Sequence, residues 1–128
     1  MEVQFDELVK IIDEISLTDR SRIQYRDRTY FIELDGRSGP EAEFFASGTY
    51  SGADIYIWNQ VRPEFKRPMI LHEVIEADLY LHQRIPKRDA HMTAMEHDRN
   101  YAKATLDTQT LLEYEQFRES INEFFGGN

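Results

Sequence analysis

The sequence contains no cysteine among its 128 residues. Disulfides and thiolate metal sites are therefore excluded, and a transition-metal site would have to be built from histidine, aspartate and glutamate. The chain also lacks an apolar run of the roughly 20 residues that a transmembrane helix needs, and residues 1–6 lack the basic-then-apolar order of a signal peptide. These absences predict a cytoplasmic protein that does not associate with membranes.

Positive charge is scarce as well. The chain has 15 Lys and Arg against 24 Asp and Glu, which gives a formal net charge of −9, and its cations are scattered along the sequence. Such a chain repels phosphates, so binding of nucleic acid is not expected. Hydrophobic residues make up 41% of the chain and charged residues 30%, which is typical of a folded protein. The length suits one hydrophobic core, so residues 1–128 are predicted to form a single domain.

The spacing of apolar residues predicts an α+β fold, in which a small antiparallel sheet packs with about four helices. Apolar positions at intervals of three and four predict a first helix over residues 4–16. Runs of β-branched and aromatic residues predict one or two strands over 22–25 and 29–34, and two short strands at 44–50 and 55–58. The last two of these strands are separated by turn residues and are expected to form a hairpin.

Three further helices are predicted in the second half of the chain. The first covers residues 68–85, with Pro68 in its first turn, and Pro86 forces its end. Asp89 is expected to cap a helix that runs to about Lys103, and a last helix covers residues 106–125 before Gly126-Gly127. The apolar stripe of this last helix is predicted to belong to the core, with homodimer formation as the alternative.

The helix over residues 68–85 carries the residues with the clearest chemistry. His72 and Glu76 are four residues apart, hence only about 40° apart around a helix, so both side chains can reach one ion. Imidazole and carboxylate are suitable ligands for zinc or another divalent metal. Glu73 projects beside this pair, where it could orient a water molecule at the metal. The spacing therefore predicts a metal site of the kind that hydrolases use.

A third ligand is needed, because two protein ligands bind a metal weakly. His91 is the candidate, since a turn at Pro86 would bring the next helix back beside the first one. Asp98 follows His91 by almost two full helical turns and is predicted as a partner of a ligand, or as a fourth ligand. His97 points about 120° away from His91 and is predicted to be a surface histidine.

A strand at 54–58, a short loop and a helix with His72-Glu73 resemble the zincin-type metallopeptidases. The strand is expected at the edge of the sheet. The zincin motif is His-Glu-x-x-His, so the resemblance implies metal ligation by His72 and Glu76 and a general-base role for Glu73. The closer resemblance is to small bacterial and phage-type proteins of minimal zincin character, in which His-Glu-x-x-Glu precedes a helix that begins Ala-His, as Ala90-His91 does here.

The resemblance implies a zinc-dependent hydrolase of peptidase type, in which Glu73 activates water toward a peptide or protein substrate. Glu76 replaces the second histidine, and its negative charge should reduce the Lewis acidity of the metal. The alternative function is therefore a non-catalytic module that binds metal or another protein on a degenerate zincin-like fold. A purely structural His72–Glu76 pair is a further alternative. The aromatic residues Tyr50, Tyr56 and Trp58 fit core or interface packing better than a peptide groove.

Overall fold

The computed structural model describes residues 5–18, 20–35, 43–46 and 52–125 of the chain. Within these ranges four strands and four α-helices follow one another, which confirms the predicted α+β class. In chain order they are α1 Asp6–Glu14, β1 Arg20–Tyr25, β2 Arg28–Asp35, β3 Glu43–Ala46, β4 Ala53–Trp58, α2 Pro63–Ala77, α3 Lys87–Thr105 and α4 Thr108–Phe125. A wide π-helical turn, Asp78–His82, extends α2. The predictions for Tyr50 and for Gly126-Gly127 lie outside the described residues.

The four strands form one mixed sheet in the order β1-β2-β4-β3. The pairs β1/β2 and β3/β4 are antiparallel, as the predicted hairpin at β3 and β4 requires. The strands β2 and β4 are parallel, so the prediction of a purely antiparallel sheet is wrong. The second strand of each hairpin, β2 and β4, pairs with the other. The alternation of apolar and polar residues predicts each hairpin but not the pairing between the two hairpins. β4, which was expected at the edge, is an inner strand, and β3 lies at the edge.

Two local features allow these strands to pair. Arg26 and Asp27 both have positive φ, 53° and 61°, which is the conformation of the two-residue turns that suit the twist of a hairpin. Gly52 lies just before β4, and a Cβ atom there would be 1.6 Å from the carbonyl oxygen of Thr29. Only glycine therefore lets the chain approach β2 so closely at this point.

The helix α2 is buried on all sides, because it contacts β3 and β4, α1 and α3. Its residues from Pro68 to Ala77 are all buried, so it lacks the solvent-facing stripe of an ordinary surface helix. The helix begins at Pro63, five residues earlier than predicted, and Pro68 lies in its interior. Proline is well suited to the first helical position, which explains the start at Pro63.

The last two helices complete the core. The α3 helix begins directly after Pro86, so Asp89 lies in its first turn and does not cap it. The α4 helix is capped by Asp107, whose Oδ1 accepts a hydrogen bond of 2.7 Å from the backbone N–H of Thr110. Tyr114 is fully buried, with its ring centroid 5.2 Å from that of Phe65 on α2. The predicted core role of this helix is therefore confirmed at Tyr114, and a homodimer stays a prediction.

No helix in the described part of the chain combines the length and the apolar character that crossing a membrane requires. Trp58, on β4, is partly buried against the core. Tyr56, two residues earlier and hence on the same face of β4, is half-buried and lines a cavity of about 280 Å³. The core role expected of these aromatic residues is thus confirmed at Trp58.

A buried carboxylate, Asp78, joins the sheet to the end of α2. Its Oδ1 accepts hydrogen bonds from Arg28 Nη1 at 2.8 Å and from the hydroxyl of Tyr30 at 3.3 Å. Its Oδ2 accepts one from Gln83 Nε2 at 2.7 Å and lies 3.7 Å from Arg26 Nη1. The carboxylate therefore balances the charge of two arginines and accepts a hydrogen bond from a buried hydroxyl, at the point where α2 widens into the π-helical turn.

The substitution Asp78→Ala is expected to lower the free energy of unfolding by about 3 kcal/mol, because it removes one partner of a buried ion pair. Chemical denaturation followed by circular dichroism measures the change. Glu96→Ala, which removes an exposed carboxylate from α3, is the control and should stay within about 0.5 kcal/mol of the wild type. Equal losses in the two variants would show that the Asp78 cluster does not stabilise the fold.

Candidate metal centre

His72 and Glu76 meet on α2 as their helical spacing predicts. They lie one turn apart, and His72 Nε2 is 3.0 Å from Glu76 Oε1. Both side chains are almost fully buried, at 1% and 5% exposure. They are held between the sheet and α3 because α2 is surrounded by other elements, so neither side chain has bulk water as its partner.

His91 approaches the same carboxylate from α3. The chain turns at Pro86, and α3 packs along α2, which brings His91 Nδ1 to 3.3 Å from Glu76 Oε1. The rings of His72 and His91 are edge to face, with their centroids 5.0 Å apart. His91 retains 13% exposure, so it forms the more accessible side of the cluster.

The three side chains together could hold a metal ion. His72, Glu76 and His91 each offer one donor atom, and these atoms lie within 4.8 Å of one another. Two donors at 2.0–2.1 Å from one tetrahedral zinc are about 3.3 Å apart. The distances from Glu76 Oε1 to the two imidazole nitrogens are 3.0 and 3.3 Å, close to that spacing. The structure thus brings together the three predicted ligands.

Asp98 contacts the other ring nitrogen of His72. Its Oδ2 is 2.6 Å from Nδ1, and Asp98 is fully buried. Asp98 thus lies at the nitrogen that does not face Glu76, and it is not one of the three clustered donors. Of its two predicted roles, this geometry matches the partner of a ligand: a carboxylate that accepts the N–H of a metal-binding imidazole and fixes its orientation.

Two residues of α4 hold Asp98, and neither was predicted from the sequence. The hydroxyl of Tyr114 donates to Asp98 Oδ1 at 2.8 Å. Arg118 Nη2 lies 3.3 Å from Asp98 Oδ2 and 3.0 Å from His72 Nδ1. The signal that could have revealed them is the position of Arg118, four residues after Tyr114 on the helix face that was assigned to the core. A cation on such a face requires a buried anion.

The two glutamates of the motif differ in their pKa. Burial raises the pKa of Glu73 to about 7, and the charge of Glu76 adds to this effect. Burial alone would also raise the pKa of Glu76, but hydrogen bonds from His72 and His91 outweigh it and hold that pKa well below its usual range. Lys87, with Nζ 3.2 Å from Glu76 Oε2, acts in the same direction. Glu76 is thus an anion, whereas Glu73 can gain or lose a proton near neutral pH.

Glu73 is close enough to take part in chemistry at this cluster. Its Oε2 lies 3.8 Å from His72 Nε2, the nitrogen that faces Glu76. A carboxyl with a pKa near the working pH is suited to general-base catalysis.

Comparison with protein-family models, curated proteins and solved structures finds no significant match. The chemistry assigned to the cluster therefore rests on its residues and distances.

The other two histidines of the chain lie away from the cluster of His72, Glu76 and His91. His97, which was predicted to be on the surface, is half-buried, and its ring meets that of Phe5 edge to face at 4.7 Å. The α1 helix covers this part of α3. The angle between His91 and His97 around the axis of α3 cannot predict that contact. His82 lies in the π-helical turn, with its ring centroid 6.5 Å from that of Tyr30. Each provides a histidine control for substitutions in the cluster.

The substitution Asp98→Ala is expected to lower the free energy of unfolding of metal-free protein by about 3–5 kcal/mol, because it leaves Arg118 buried without its anion. Glu119→Ala removes an exposed carboxylate from α4 and should leave stability nearly unchanged. Urea denaturation in the presence of a chelator compares the two variants. A loss below about 1 kcal/mol in Asp98→Ala would contradict a structural dependence on the buried pair.

Proposed function

We propose that this chain is a zinc-binding domain of zincin-like type, with His72, Glu76 and His91 as the ligands and Glu73 as a general base for hydrolysis of peptide or amide bonds. The observation that carries the proposal is the convergence of three donor atoms within 4.8 Å. The contact of Asp98 with His72 Nδ1 at 2.6 Å supports it, because metal-binding histidines almost always donate their second N–H to such a partner.

The ligand set favours zinc among the divalent metals. Two imidazoles and one carboxylate form the protein ligands of many catalytic zinc sites, which keep a further position for water or substrate. Magnesium and calcium prefer sets made of oxygen atoms alone, so they fit this cluster less well. The low pKa of Glu76 is consistent with a ligand that is ionised before the metal arrives.

The order of elements also supports the zincin-like assignment. β4 leads through a short loop into α2, and His72-Glu73 lies in the second half of that helix. The position of this strand differs from the expected arrangement, since among the described strands β4 is an inner strand and its neighbour β3 is an outer one. An extended substrate that adds to the sheet edge would therefore pair with β3.

Hydrolysis at this cluster would use Glu73 to move a proton. Bound zinc would supply a Lewis acid that stabilises negative charge on oxygen. Glu73 would accept a proton from water while the water oxygen forms a bond to the carbonyl carbon, and would return that proton to the nitrogen as the C–N bond breaks. The pKa of Glu73, about 7 in the metal-free protein, fits both halves of this transfer.

A second candidate function is a metal-binding domain that performs no catalysis. It is favoured by burial, since only 1% of His72 and 6% of Glu73 are exposed. A catalytic metal needs a position open to substrate, whereas a structural metal is enclosed by its ligands. In this case zinc would tie α2 to α3, and surfaces elsewhere on the chain would bind a partner protein.

Metal content tests the first half of the proposal. Protein purified without added metal or chelator is expected to contain about one zinc per chain by elemental analysis, or to take up that amount when zinc is offered. His91→Ala should abolish stoichiometric binding, because two remaining ligands bind weakly. His97→Ala replaces another histidine of the same helix and should leave the content unchanged. Absence of zinc from the wild type after zinc is offered would refute the metal site.

The substitution Glu73→Gln separates the two candidate functions. If Glu73 is the general base, hydrolysis of a pool of fluorescence-quenched peptides should fall by about 10²–10⁴-fold, while zinc content stays at the wild-type value. Glu96→Gln on α3 is the control for the loss of a carboxylate. Zinc-loaded wild type that cleaves no peptide, or a Glu73→Gln variant with full activity, would favour the non-catalytic domain.

A further inference from the structure

The α4 helix contributes a buried cation and a buried hydroxyl next to the metal centre, although none of its residues belongs to the cluster of donors. Arg118 is 9% exposed, Tyr114 is fully buried, and both contact Asp98. Taking an ion pair out of water costs about as much as the attraction between its charges returns, so net stabilisation of the fold is a weak explanation for such a pair. The position of Arg118 beside His72 indicates a more specific role.

We propose that Arg118 is a positioning residue of the metal centre: it fixes Asp98 on Nδ1 of His72 and thereby presents Nε2 of that ring to the metal. The inference rests on the proposed metal site, and it adds the element that orients its most buried ligand. Arg118 acts through Asp98 and is not itself a ligand, since a guanidinium group has donors only.

The hydrogen bonds around Asp98 leave its carboxylate little freedom to rotate. Oδ1 accepts from Tyr114 at 2.8 Å, and Oδ2 lies 2.6 Å from His72 Nδ1 and 3.3 Å from Arg118 Nη2. A rotation that gave His72 the other oxygen would break the contacts with Tyr114 and Arg118. The carboxylate is thus oriented from two points on α4, four residues apart.

The short contact with Asp98 determines which nitrogen of His72 keeps a proton when a metal is bound. Arg118 Nη2 is 3.0 Å from His72 Nδ1, but a guanidinium group cannot accept a hydrogen bond, so the acceptor for an N–H at Nδ1 is Asp98 Oδ2, at 2.6 Å. Nε2 faces Glu76 Oε1 at 3.0 Å. A metal would replace that hydrogen bond, and the proton at Nδ1, which Asp98 accepts, would leave the lone pair of Nε2 for the metal. Without Arg118, Asp98 would lose the cation that compensates its buried charge and one of the three contacts that fix its orientation.

The test compares Arg118→Met with a matched control, Arg99→Met. Arg99 lines the same cavity of about 250 Å³ between α3 and α4, is half exposed and forms a loose ion pair with Glu115 at 3.9 Å. Zinc affinity is measured by competition with a chromophoric chelator, on variants whose circular dichroism matches that of the wild type. Arg118→Met should bind zinc about 10–100-fold more weakly than the wild type, and Arg99→Met should bind within about twofold of it.

A spectroscopic readout distinguishes positioning from general structural support. In zinc-loaded wild type, the Nδ1–H proton of His72 should give a resolved, slowly exchanging NMR signal coupled to a single ring nitrogen. The signal should persist in Arg99→Met and be broadened or lost in Arg118→Met. Arg118→Lys keeps a cation for Asp98 and should bind zinc more tightly than Arg118→Met, though more weakly than the wild type, because it lacks the planar guanidinium fork.

The outcomes separate this inference from the proposed function. If wild type binds zinc and Arg118→Met binds it equally well with the His72 signal unchanged, the positioning role is wrong and the metal site stands. If wild type binds no zinc, the proposed function and this inference are both overturned. If Arg118→Met does not fold, Arg118→Lys takes its place, and zinc affinity equal to that of wild type would overturn the positioning role.

Discussion

His72 is buried between two carboxylates, with Glu76 at one ring nitrogen and Asp98 at the other. An imidazole in this position cannot exchange its partners for water, so each element that supplies one has to be held in place. Glu76 comes from the same helix, one turn away. Asp98 comes from α3, and the groups that orient it come from α4. The packing of α2, α3 and α4 thus depends on the hydrogen-bond partners that the buried ring of His72 requires.

The sheet and α1 pack on α2, the helix that carries His72 and Glu76. A polar cluster can remain in the interior only if the rest of α2 buries enough apolar surface to offset its desolvation. The apolar residues of α2 pack against the buried face of the sheet, where Ile55 and Ile57 of β4 are exposed by no more than 1%. Asp78 repeats the same pattern at the end of the helix, since it is a buried anion compensated by arginines of the β1–β2 hairpin. The two ends of the segment 72–78 are therefore fixed by charge, and its middle is fixed by apolar packing.

Much of the candidate site could be predicted from the sequence, because it depends on spacing within single helices. The four-residue step from His72 to Glu76 and the seven-residue step from His91 to Asp98 are properties of helical geometry. Pro86 marks the turn that brings the two helices together. Contacts between distant segments were missed, namely Arg118 beside His72 and the parallel pairing of β2 with β4. These contacts depend on packing between elements, for which one sequence offers no periodic signal. The extent of the burial of α2 was missed for the same reason.

The opposite pKa shifts of Glu73 and Glu76 arise from one difference in position. Glu76 receives hydrogen bonds from two imidazoles and remains ionised. Glu73 Oε2 lies 3.8 Å from His72 Nε2, and burial has the largest effect on its pKa. A metal held by His72, Glu76 and His91 would replace the contacts between Glu76 and the imidazoles, so it would stabilise groups that are already arranged for it. Glu73 would then lie in the field of a dication, which would favour its ionised form. A carboxylate that is more fully ionised when the metal is bound would tie proton transfer to metal binding, and this is the physical reason to consider catalysis despite Glu76 in the place of the motif's second histidine.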